Sequence, residues 1–429
     1  MGAGATQTAW SIVCHMSYGL KGHVALLRYI SGHWSVQRIP SQPSNGKEGL
    51  ARPYFLGIED DDRAVIYDPT THRTERQQGV YENAFPLYAY IDRAERSLWF
   101  VHDGGDDTGN ENWHCGDEGS PAFLWGTRTG GNPSRALLGT LCVGRGHHVT
   151  AYTRPSATFP RMPRQVFISN LLDGTITVVG YDPAARATYL KPLHQFNLCD
   201  PAQEQDPQPK VPNNAFPHGM AYSPVSGKVY NLNNGYGTVV AMDAAAHRIT
   251  NTVAMPVASN LLMSPDGRFL IGKGADRKRD PQHVIGRLSV FDVTSETVQQ
   301  VLDIPDLYPS TYRFSPDGQR LFVTSAATGK GEQKTHLKVD VVQVYDTSRL
   351  PALRLIAEIK VGRADCSRRP MAFVDHDATT RYGFMPNPTD GSVSVVDTHT
   401  LQVVTTLEVG AGGADEINFS YWRGDSEGC

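Results

Sequence analysis

Two short segments of the sequence place histidine at the head of a matched pattern. They are GHHVTAY (residues 146–152) and PHGMAYS (residues 217–223). In each, two residues separate a histidine, His148 or His218, from an Ala-Tyr pair, and these two histidines are 70 positions apart. Neutral imidazole is a common ligand of copper, iron, nickel and zinc, and it also acts as a general base. Both segments are therefore candidates for chemistry if the fold brings them together.

An internal repeat indicates which elements carry these segments. An apolar stretch that ends in aspartate and precedes a turn recurs at Asp68, Asp182, Asp243, Asp292, Asp346 and Asp397. From Asp182 onward the steps are 61, 49, 54 and 51 residues, and the step from Asp68 to Asp182 is 114, which is room for two units. A period of about 50 residues with four short strands per unit is typical of a β-propeller.

The other half of the unit repeats as well. MSPDGRFLIGKG (263–274) and FSPDGQRLFVTS (314–325) are each a strand, a tight turn and a strand, and AYSPVSGKVYNLN (221–233) is a looser copy. Proline, aspartate and glycine are the residues that such turns require. Helical spacing is nearly absent, so the sequence predicts an all-β chain.

The repeats resemble those of YVTN-type β-propellers, whose relatives include the lactonase-like and nitrous-oxide-reductase-like seven-bladed families. The resemblance covers roughly residues 85–410. It implies the propeller fold, whereas the activity has to be argued from the site. Relatives that bind metal through histidine imply a copper redox site. The HxH pairs that such copper clusters often show are absent from this sequence.

Seven blades are favoured, with eight as the alternative. Innermost strands are predicted to begin near residues 85, 146, 217, 259, 310, 370 and 416. The last of them leaves no room for three more strands, so residues 1–40 and 415–429 are expected to form one blade and close the ring. Residues 41–80 are expected to be an abbreviated or accessory blade. The chain 1–429 is then a single propeller domain, longer than the limit of about 250–300 residues for a single core.

The propeller model gives the histidines positions. Innermost strands line the central channel, and His147, His148 and His218 would lie at the start of two neighbouring ones. Other polar residues are predicted at the same rim position in further blades, namely Asn260, Ser310, Arg369 and Glu416. Successive residues of a strand point to opposite faces, so only one of His147 and His148 is expected to face the channel unless the strand bulges. Convergent polar groups around a funnel predict a binding site.

A second set of polar residues lies at the ends of the predicted second strands: His15, His102, Asn170, Asn231 and Asn233. Whether it opens at the same face or the opposite one is left open. After His102 comes an irregular insertion, residues 103–121, which contains His114 and Cys115. Long irregular loops are usually functional or disordered, and here a solvated loop is favoured over a site.

The residue types permit two kinds of chemistry. A transition metal, with copper or iron as first choices, would take His147, His148 and His218, with His102 or Glu416 completing the ligand set. A nucleotide cofactor is not indicated, because no P-loop and no dinucleotide fingerprint is present. The GxSxG and HExxH motifs are also absent.

Three hypotheses of function follow. The first is a metal-dependent oxidoreductase that acts on a small molecule at the channel mouth. The second is a metal-free lyase, cyclase or lactonase-like hydrolase, with His218 or His148 as general base and Arg369 stabilising an anion. The third is a non-catalytic scaffold that binds a protein partner, which the lack of blade-closing WD dipeptides disfavours.

Composition limits the partners and the compartment. The net charge is −4 and no basic block occurs, which argues against nucleic acid as a partner. No run of 18 apolar residues exists, so no membrane span is predicted. The N-terminus lacks the pattern of a secretory signal, and cytoplasmic residence is expected. The six cysteines are scattered and are expected to be reduced thiols. Nothing in the sequence indicates the oligomeric state.

Overall fold

The protein is described by a computed structural model over residues 10–18, 21–30, 33–42, 45–46, 55–58, 64–68, 73–77, 87–92, 97–102, 115, 119–126, 137–365, 369–373, 381–413 and 416–422. These residues form antiparallel sheets of four strands each. The prediction of an all-β chain is confirmed.

The first four sheets come from the N-terminal half of the chain and from its last strand. Sheet 1 contains β1 (Trp10–Tyr18), β2 (Lys21–Ile30), β3 (His33–Gln42) and β32 (Glu416–Trp422). Sheet 2 contains β4 (Asn45–Gly46), β5 (Phe55–Ile58), β6 (Ala64–Asp68) and β7 (Arg73–Gln77). Sheet 3 contains β8 (Leu87–Asp92), β9 (Ser97–His102), β10 (Ser120–Gly126) and β11 (Leu137–Val143). Sheet 4 contains β12 (His147–Thr153), β13 (Gln165–Asn170), β14 (Thr175–Gly180) and β15 (Pro192–Asn197).

The other sheets follow in chain order. Sheet 5 contains β16 (Pro217–Ser223), β17 (Lys228–Asn233), β18 (Thr238–Asp243) and β19 (Arg248–Ala254). Sheet 6 contains β20 (Ala258–Met263), β21 (Phe269–Asp276), β22 (Ile285–Asp292) and β23 (Thr297–Pro305). Sheet 7 contains β24 (Pro309–Phe314), β25 (Arg320–Ser325), β26 (Val341–Asp346) and β27 (Arg354–Lys360). Sheet 8 contains β28 (Ala372–Phe373), β29 (Tyr382–Asn387), β30 (Ser392–Asp397) and β31 (Gln402–Glu408).

In the described ranges, two four-residue helices lie in connections between strands. Helix α1 (Pro201–Glu204) precedes β16, and helix α2 (Gln333–His336) lies between β25 and β26. The aspartates that end β18, β22, β26 and β30 accept hydrogen bonds from the turn that follows, as Asp243 does from the amides of Ala245 and Ala246. The repeated aspartates therefore form Asx turns. No helix in the described ranges is long and apolar enough to cross a membrane.

The hydrophobic core lies between consecutive sheets. Every residue of β13 and β14 is buried, because these middle strands are covered on both faces. Phe167 of sheet 4 packs in one cluster with Val240 of sheet 5. Comparable clusters join sheets 3 and 4, sheets 5 and 6, sheets 6 and 7, sheets 7 and 8, and sheets 8 and 1. The outermost strands whose burial the structure describes are more exposed, as the alternating burial of β23 shows.

The first strand of each sheet in the middle of the chain lies at the inner edge, since β12 contacts β16 and β16 contacts β20. The predicted inner strands occur as β8, β12, β16, β20, β24, β28 and β32, each within a few residues of the predicted start. Strand β32 pairs with β1, with Ser17 opposite Glu416, so strands from the two ends of the chain share one sheet as expected.

The number of sheets in the described residues differs from the favoured count of seven units. Residues 41–80 were expected to be an abbreviated or accessory unit, and they contain the four-stranded sheet 2, whose first strand has only two residues. The sheets formed by the described parts of the chain therefore number eight, in agreement with the alternative. The number of blades in a closed ring stays a prediction.

Two of the cysteines form a disulfide, whereas all six were expected to be reduced thiols. Cys115 and Cys142 form a disulfide with a Cα–Cα distance of 5.4 Å, which joins the 103–121 insertion to β11. The expectation was wrong for this pair because a separation of 27 residues in the sequence does not reveal that two positions meet. Disulfides persist mainly in oxidising compartments, which weighs against cytoplasmic residence, and the compartment stays a prediction.

Replacing Phe322 by alanine tests the location of the core. Phe322 is fully buried between sheets 7 and 8, where the centre of its ring lies 5.2 Å from the centre of the Phe373 ring. We expect Phe322→Ala to lower the free energy of unfolding by about 3–5 kcal/mol, as measured by urea denaturation. The control Val404→Ala removes a side chain that is 46% exposed on β31 and should change it by about 0.5 kcal/mol or less. Equal losses in the two variants would contradict a core between the sheets.

Candidate functional site

Four neighbouring inner strands share an irregularity close to their first residues. The register against the second strand shifts between His147 and Thr150, Pro217 and Gly219, Ala258 and Asn260, and Pro309 and Tyr312. A bulge leaves one residue outside the pairing and re-aims its side chain. In β16 that residue is His218, and in β20 it is Ser259.

Hydroxyl groups of the second strands support two of these bulges. The amide of Val149 donates to Ser169 Oγ at 3.0 Å, and that hydroxyl donates to the Val149 carbonyl at 3.2 Å. Thr324 Oγ1 makes the same pair of contacts with Thr311, at 3.1 and 3.2 Å. These two bulges are therefore satisfied by hydrogen bonds and belong to the fold.

Among the histidines predicted as ligands, His218 is the one whose side chain lies in the described part of the structure. It is half-buried at the start of β16, and its imidazole hydrogen-bonds to the backbone of Ser259 in the neighbouring inner strand. Burial, together with the nearby charge of Lys273 and opposed by the hydrogen bond to Ser259, lowers the pKa of His218 to about 4. The imidazole is therefore neutral near pH 7, which suits a metal ligand or a hydrogen-bonding group.

Glycine next to His218 allows two inner strands to approach closely. A Cβ atom at Gly219 would lie 2.6 Å from the amide nitrogen of Leu261 in β20. Only glycine fits this contact without a shift of the backbone. The close approach holds the bulges of β16 and β20 side by side.

Lys273 was missed in the sequence and lies in this region. It stands opposite Asn260 in the pairing of β20 with β21, and its ammonium donates to the Pro309 carbonyl at 3.1 Å and lies 5.7 Å from the centre of the Tyr312 ring. The detectable signal was a lysine between two glycines within an apolar strand, FLIGKGAD. Lys273 therefore adds a positive charge beside His218.

Arg369 lies just before the inner strand β28. The residue is fully buried, and its guanidinium donates to the carbonyls of Pro386, Val339 and Gly362 at 2.8, 3.0 and 2.5 Å. It also donates to Asn387 Oδ1 at 2.5 Å. These contacts join the connections of sheet 7 at Val339 and Gly362 to β29 of sheet 8, which favours a structural role for Arg369. Its assignment as an anion-stabilising group stays a prediction.

Ser310 and Asn260 also have partners within the protein. Ser310 is buried and its Oγ accepts the amide of Arg369 at 2.7 Å. Asn260 is half-buried, and its Oδ1 accepts the amide of Leu261 at 2.8 Å. The rim is thus polar, but the side-chain oxygen atoms of these two residues already accept hydrogen bonds from backbone amides.

The remaining predicted ligands are placed by their backbone alone. His147 and His148 begin β12, His102 ends β9 opposite Leu87, and Glu416 begins β32. Their side chains lie outside the described part of the structure, as does His15 except for its place in β1. The bulge in β12 breaks the alternation expected to separate His147 from His148. Their sharing of a metal with His218 stays a prediction.

The second polar set opens at the same end of the sheets as the first. In sheet 5, Asn233 at the end of β17 stands opposite Pro217 at the start of β16. In sheet 4, Asn170 stands opposite His147 and donates to Thr175 Oγ1 and Thr177 Oγ1, both at 2.9 Å. The buried amide of Asn170 therefore stabilises the turn between β13 and β14, which indicates a structural use.

The connection that leads into His218 is fixed by a buried carboxylate. Glu204 of α1 has a side chain that is 1% exposed and accepts hydrogen bonds from the Tyr236 hydroxyl at 2.5 Å and the Asn214 amide at 2.6 Å. Glu204 Oε2 also forms an ion pair with Lys210 Nζ at 3.2 Å. The hydrogen bond from Tyr236, followed by that from Asn214, lowers the pKa of Glu204 to about 2. The carboxylate thereby stabilises the segment before β16.

The described side chains do not include a complete set of ligands for a metal ion. Within that part of the chain, no group of three or more histidine, cysteine, aspartate or glutamate residues is arranged to hold an ion. His218 fits as one neutral, half-buried nitrogen ligand. Any further ligands would have to come from the predicted residues whose side chains are outside the description.

Comparisons with known proteins define the fold class. Neither the protein-family models nor the curated proteins gave a match. Among solved structures, the chain is similar to the dihydro-heme d1 dehydrogenase NirN in complex with DHE, with 14% identity, a TM-score of 0.55, and coverage of 86% of this chain and 66% of that chain. The chain thus spans slightly less than two thirds of NirN.

Two further structures agree with that result. Hydrazine synthase of Kuenenia stuttgartiensis has 13% identity and a TM-score of 0.52, with 77% of this chain and 89% of that chain covered. Apo AztD of Citrobacter koseri has 11% identity and a TM-score of 0.51, with 98% and 100% covered. NirN and AztD are β-propeller-like proteins, so the comparisons support the propeller fold. At these identities they support the fold alone.

Replacing Glu204 by glutamine tests the contacts of the segment before His218. A carboxylate whose pKa is lowered from 4.5 to about 2 stabilises the folded state above pH 4.5, and this stabilisation is lost as the pH falls to about 2. Glu204→Gln should therefore be less stable than wild type at pH 7, and the difference should shrink at acidic pH. Urea denaturation at several pH values measures it. A difference that grows on acidification would contradict the contacts.

Replacing Arg369 by methionine separates a structural role from a functional one. Buried carbonyls that lose their donors cost about 1–3 kcal/mol each, so we expect a loss of at least about 3 kcal/mol in the free energy of unfolding. The control Arg354→Met removes a side chain that is 77% exposed and should cost about 1 kcal/mol or less. An Arg369→Met protein of wild-type stability would contradict the structural role.

Proposed function

We propose that this protein is an enzyme that acts on a small molecule where the inner strands begin, around His218. The observation that carries the proposal is the half-buried imidazole on a bulge of β16, beside the ammonium of Lys273. The neighbouring strand contributes the bulge at Ser259, and the close approach at Gly219 holds the two bulges together. Converging polar groups at one end of stacked strands are a typical binding site.

The specific form that we propose is a metal-dependent oxidoreductase. His218 would provide one ligand, and His147 or His148, together with His102 or Glu416, would complete the set. All of these residues begin or end strands at one end of their sheets. A bound copper or iron ion would supply the redox chemistry, and Lys273 would attract a negatively charged substrate to the same place.

Proteins of similar fold support the assignment as an enzyme. The similar structures include a dehydrogenase and a synthase. They make an enzymatic propeller plausible for this chain without indicating its reaction. The metal-free lyase, cyclase or hydrolase with His218 as its general base is disfavoured, because an imidazole with a pKa of about 4 is a weak general base near neutral pH. With His148 as the base, this alternative stays a prediction.

We also propose that the eight sheets form a closed ring. The pairing of β32 with β1 supports closure, since it places the last strand of the chain at the inner edge of sheet 1. The clusters that join sheets 3 to 8 and then sheet 1 support a continuous circular order. A ring removes the exposed sheet faces that an open stack would leave at its ends.

Metal analysis of wild type and of His218→Ala tests the proposed function. Wild-type protein purified without a histidine tag is expected to carry near-stoichiometric transition metal, as determined by elemental analysis. His218→Ala should lose most of this metal, while its free energy of unfolding changes by about 1 kcal/mol or less. The matched control is His399→Ala, which removes an exposed histidine in the turn after β30 and should leave the metal content unchanged.

The outcomes distinguish the hypotheses of function. A wild-type protein that takes up no copper, iron or zinc even from added salts would contradict the metal-dependent form. If His218→Ala unfolds, His218 is a core residue and the site is wrong. Retention of full metal content by a folded His218→Ala protein would place the metal elsewhere.

A further inference from the structure

A cavity of about 430 Å³ lies outside the site around His218. It is formed between the connection from β25 to β26, which contains α2, and the segment 361–365 after β27. Leu337 and Val339 give it apolar walls, and both belong to a small buried cluster. The cavity is therefore part of the folded structure at the junction of sheets 7 and 8.

Charged side chains line the rest of this cavity. Lys334 and Arg363 contribute positive charges, and Asp340 and Asp365 contribute negative ones. Asp340 is paired with Lys360 at 2.6 Å, and Asp365 with Arg363 at 2.9 Å. The two carboxylates are thus matched by partners, whereas Lys334 has no ion pair with any described residue.

Arg363 keeps donors for a further partner. Its Nε and Nη2 donate to Asp365 at 3.2 and 2.9 Å, while Nη1 makes no hydrogen bond to the residues that the structure describes. The lining holds two cations and two carboxylates, with Lys360 and Asp390 beside it, and the Asp390 carboxylate accepts the Arg363 amide at 2.7 Å. Lys334, the cation without an ion pair to a described residue, and the open donor of Arg363 beside apolar walls are complementary to an anion with one charge and a hydrocarbon part.

The walls are held in place by buried hydrogen bonds. The Val339 carbonyl accepts from the Ala364 amide at 3.0 Å and from Arg369 Nη1 at 3.0 Å. Gln333 of α2 is 1% exposed and donates to the Asp280 carbonyl at 2.7 Å, which fixes the position of the helix. Because its backbone is fixed, the cavity needs little ordering when a ligand binds.

We propose that this cavity binds a small organic monocarboxylate, with the carboxylate between Lys334 and Arg363 and the hydrocarbon part against Leu337 and Val339. Guanidinium and ammonium groups form charge-assisted hydrogen bonds to carboxylates. The cavity is larger than a two-carbon acid requires, which favours a longer chain or a ring. The proposal is independent of the site around His218 and of any metal there.

Binding of hexanoate to the full chain tests the proposal, with hexanamide as the neutral analogue. Saturation-transfer NMR and calorimetry should show saturable binding of hexanoate, weaker at high salt, and much weaker or no binding of hexanamide. Lys334→Ala and Arg363→Gln should each weaken hexanoate binding about tenfold or more, because each removes a charged hydrogen-bond donor. Both side chains are largely exposed, so the melting temperature should stay near that of wild type.

Lys330→Ala is the matched control. It removes the same charge from the same connection, is exposed and does not line the cavity, so hexanoate binding should not change. Equal weakening by Lys330→Ala would show general charge attraction and overturn the site. Absence of saturable binding, or equal binding of hexanoate and hexanamide, would also overturn the proposal. Tighter binding of inorganic phosphate than of hexanoate at the same residues would overturn the ligand class.

Discussion

The rest of the structure depends on the burial of the middle strands of each sheet between the sheets on either side. In β13, β14 and β30 every residue is buried, although each strand carries side chains on both faces. A single four-stranded sheet cannot cover two apolar faces, so each sheet requires both neighbours. The sheets therefore stack in chain order, and the core is divided into clusters between them. The inner and outer strands, which are covered less completely, are free to carry polar residues.

This stacking explains where the candidate site can form. Once the middle strands are fixed, the first strands of neighbouring sheets approach each other, closely enough at Gly219 to exclude a side chain. Bulges at their starts turn single residues such as His218 away from the regular pairing. The hydroxyls of Ser169 and Thr324 complete the hydrogen bonds that two of the bulges leave open. The polar rim is thus a consequence of the way the sheets end.

The repeat could be predicted from the sequence because it has local causes. An aspartate that accepts hydrogen bonds from the next turn, as Asp397 does from His399 and Thr400, has to recur wherever that turn recurs. The starts of the inner strands follow from the same period. Residues 41–80 were harder to interpret, because a two-residue first strand leaves almost no pattern to detect.

The features that depend on distant contacts could not be predicted. Whether Arg369 faces a channel or is buried depends on carbonyls of loops at residues 339 and 362, which the repeat does not position. A bulge adds one residue to a strand without requiring a characteristic residue type. The sequence therefore did not show that His218 lies outside the regular strand pairing. Lys273 carried a visible signal, a charge between two glycines in an apolar strand, but its partner His218 lies in another sheet.

Anomalous X-ray scattering from crystals of untagged protein tests whether His218 lies at the proposed metal site. Data collected at the absorption edges of copper, iron and zinc locate the metal and identify it. We expect one anomalous peak about 2.0–2.1 Å from an imidazole nitrogen of His218. A metal bound elsewhere, or a map without a peak near His218 after incubation with these metals, would contradict it.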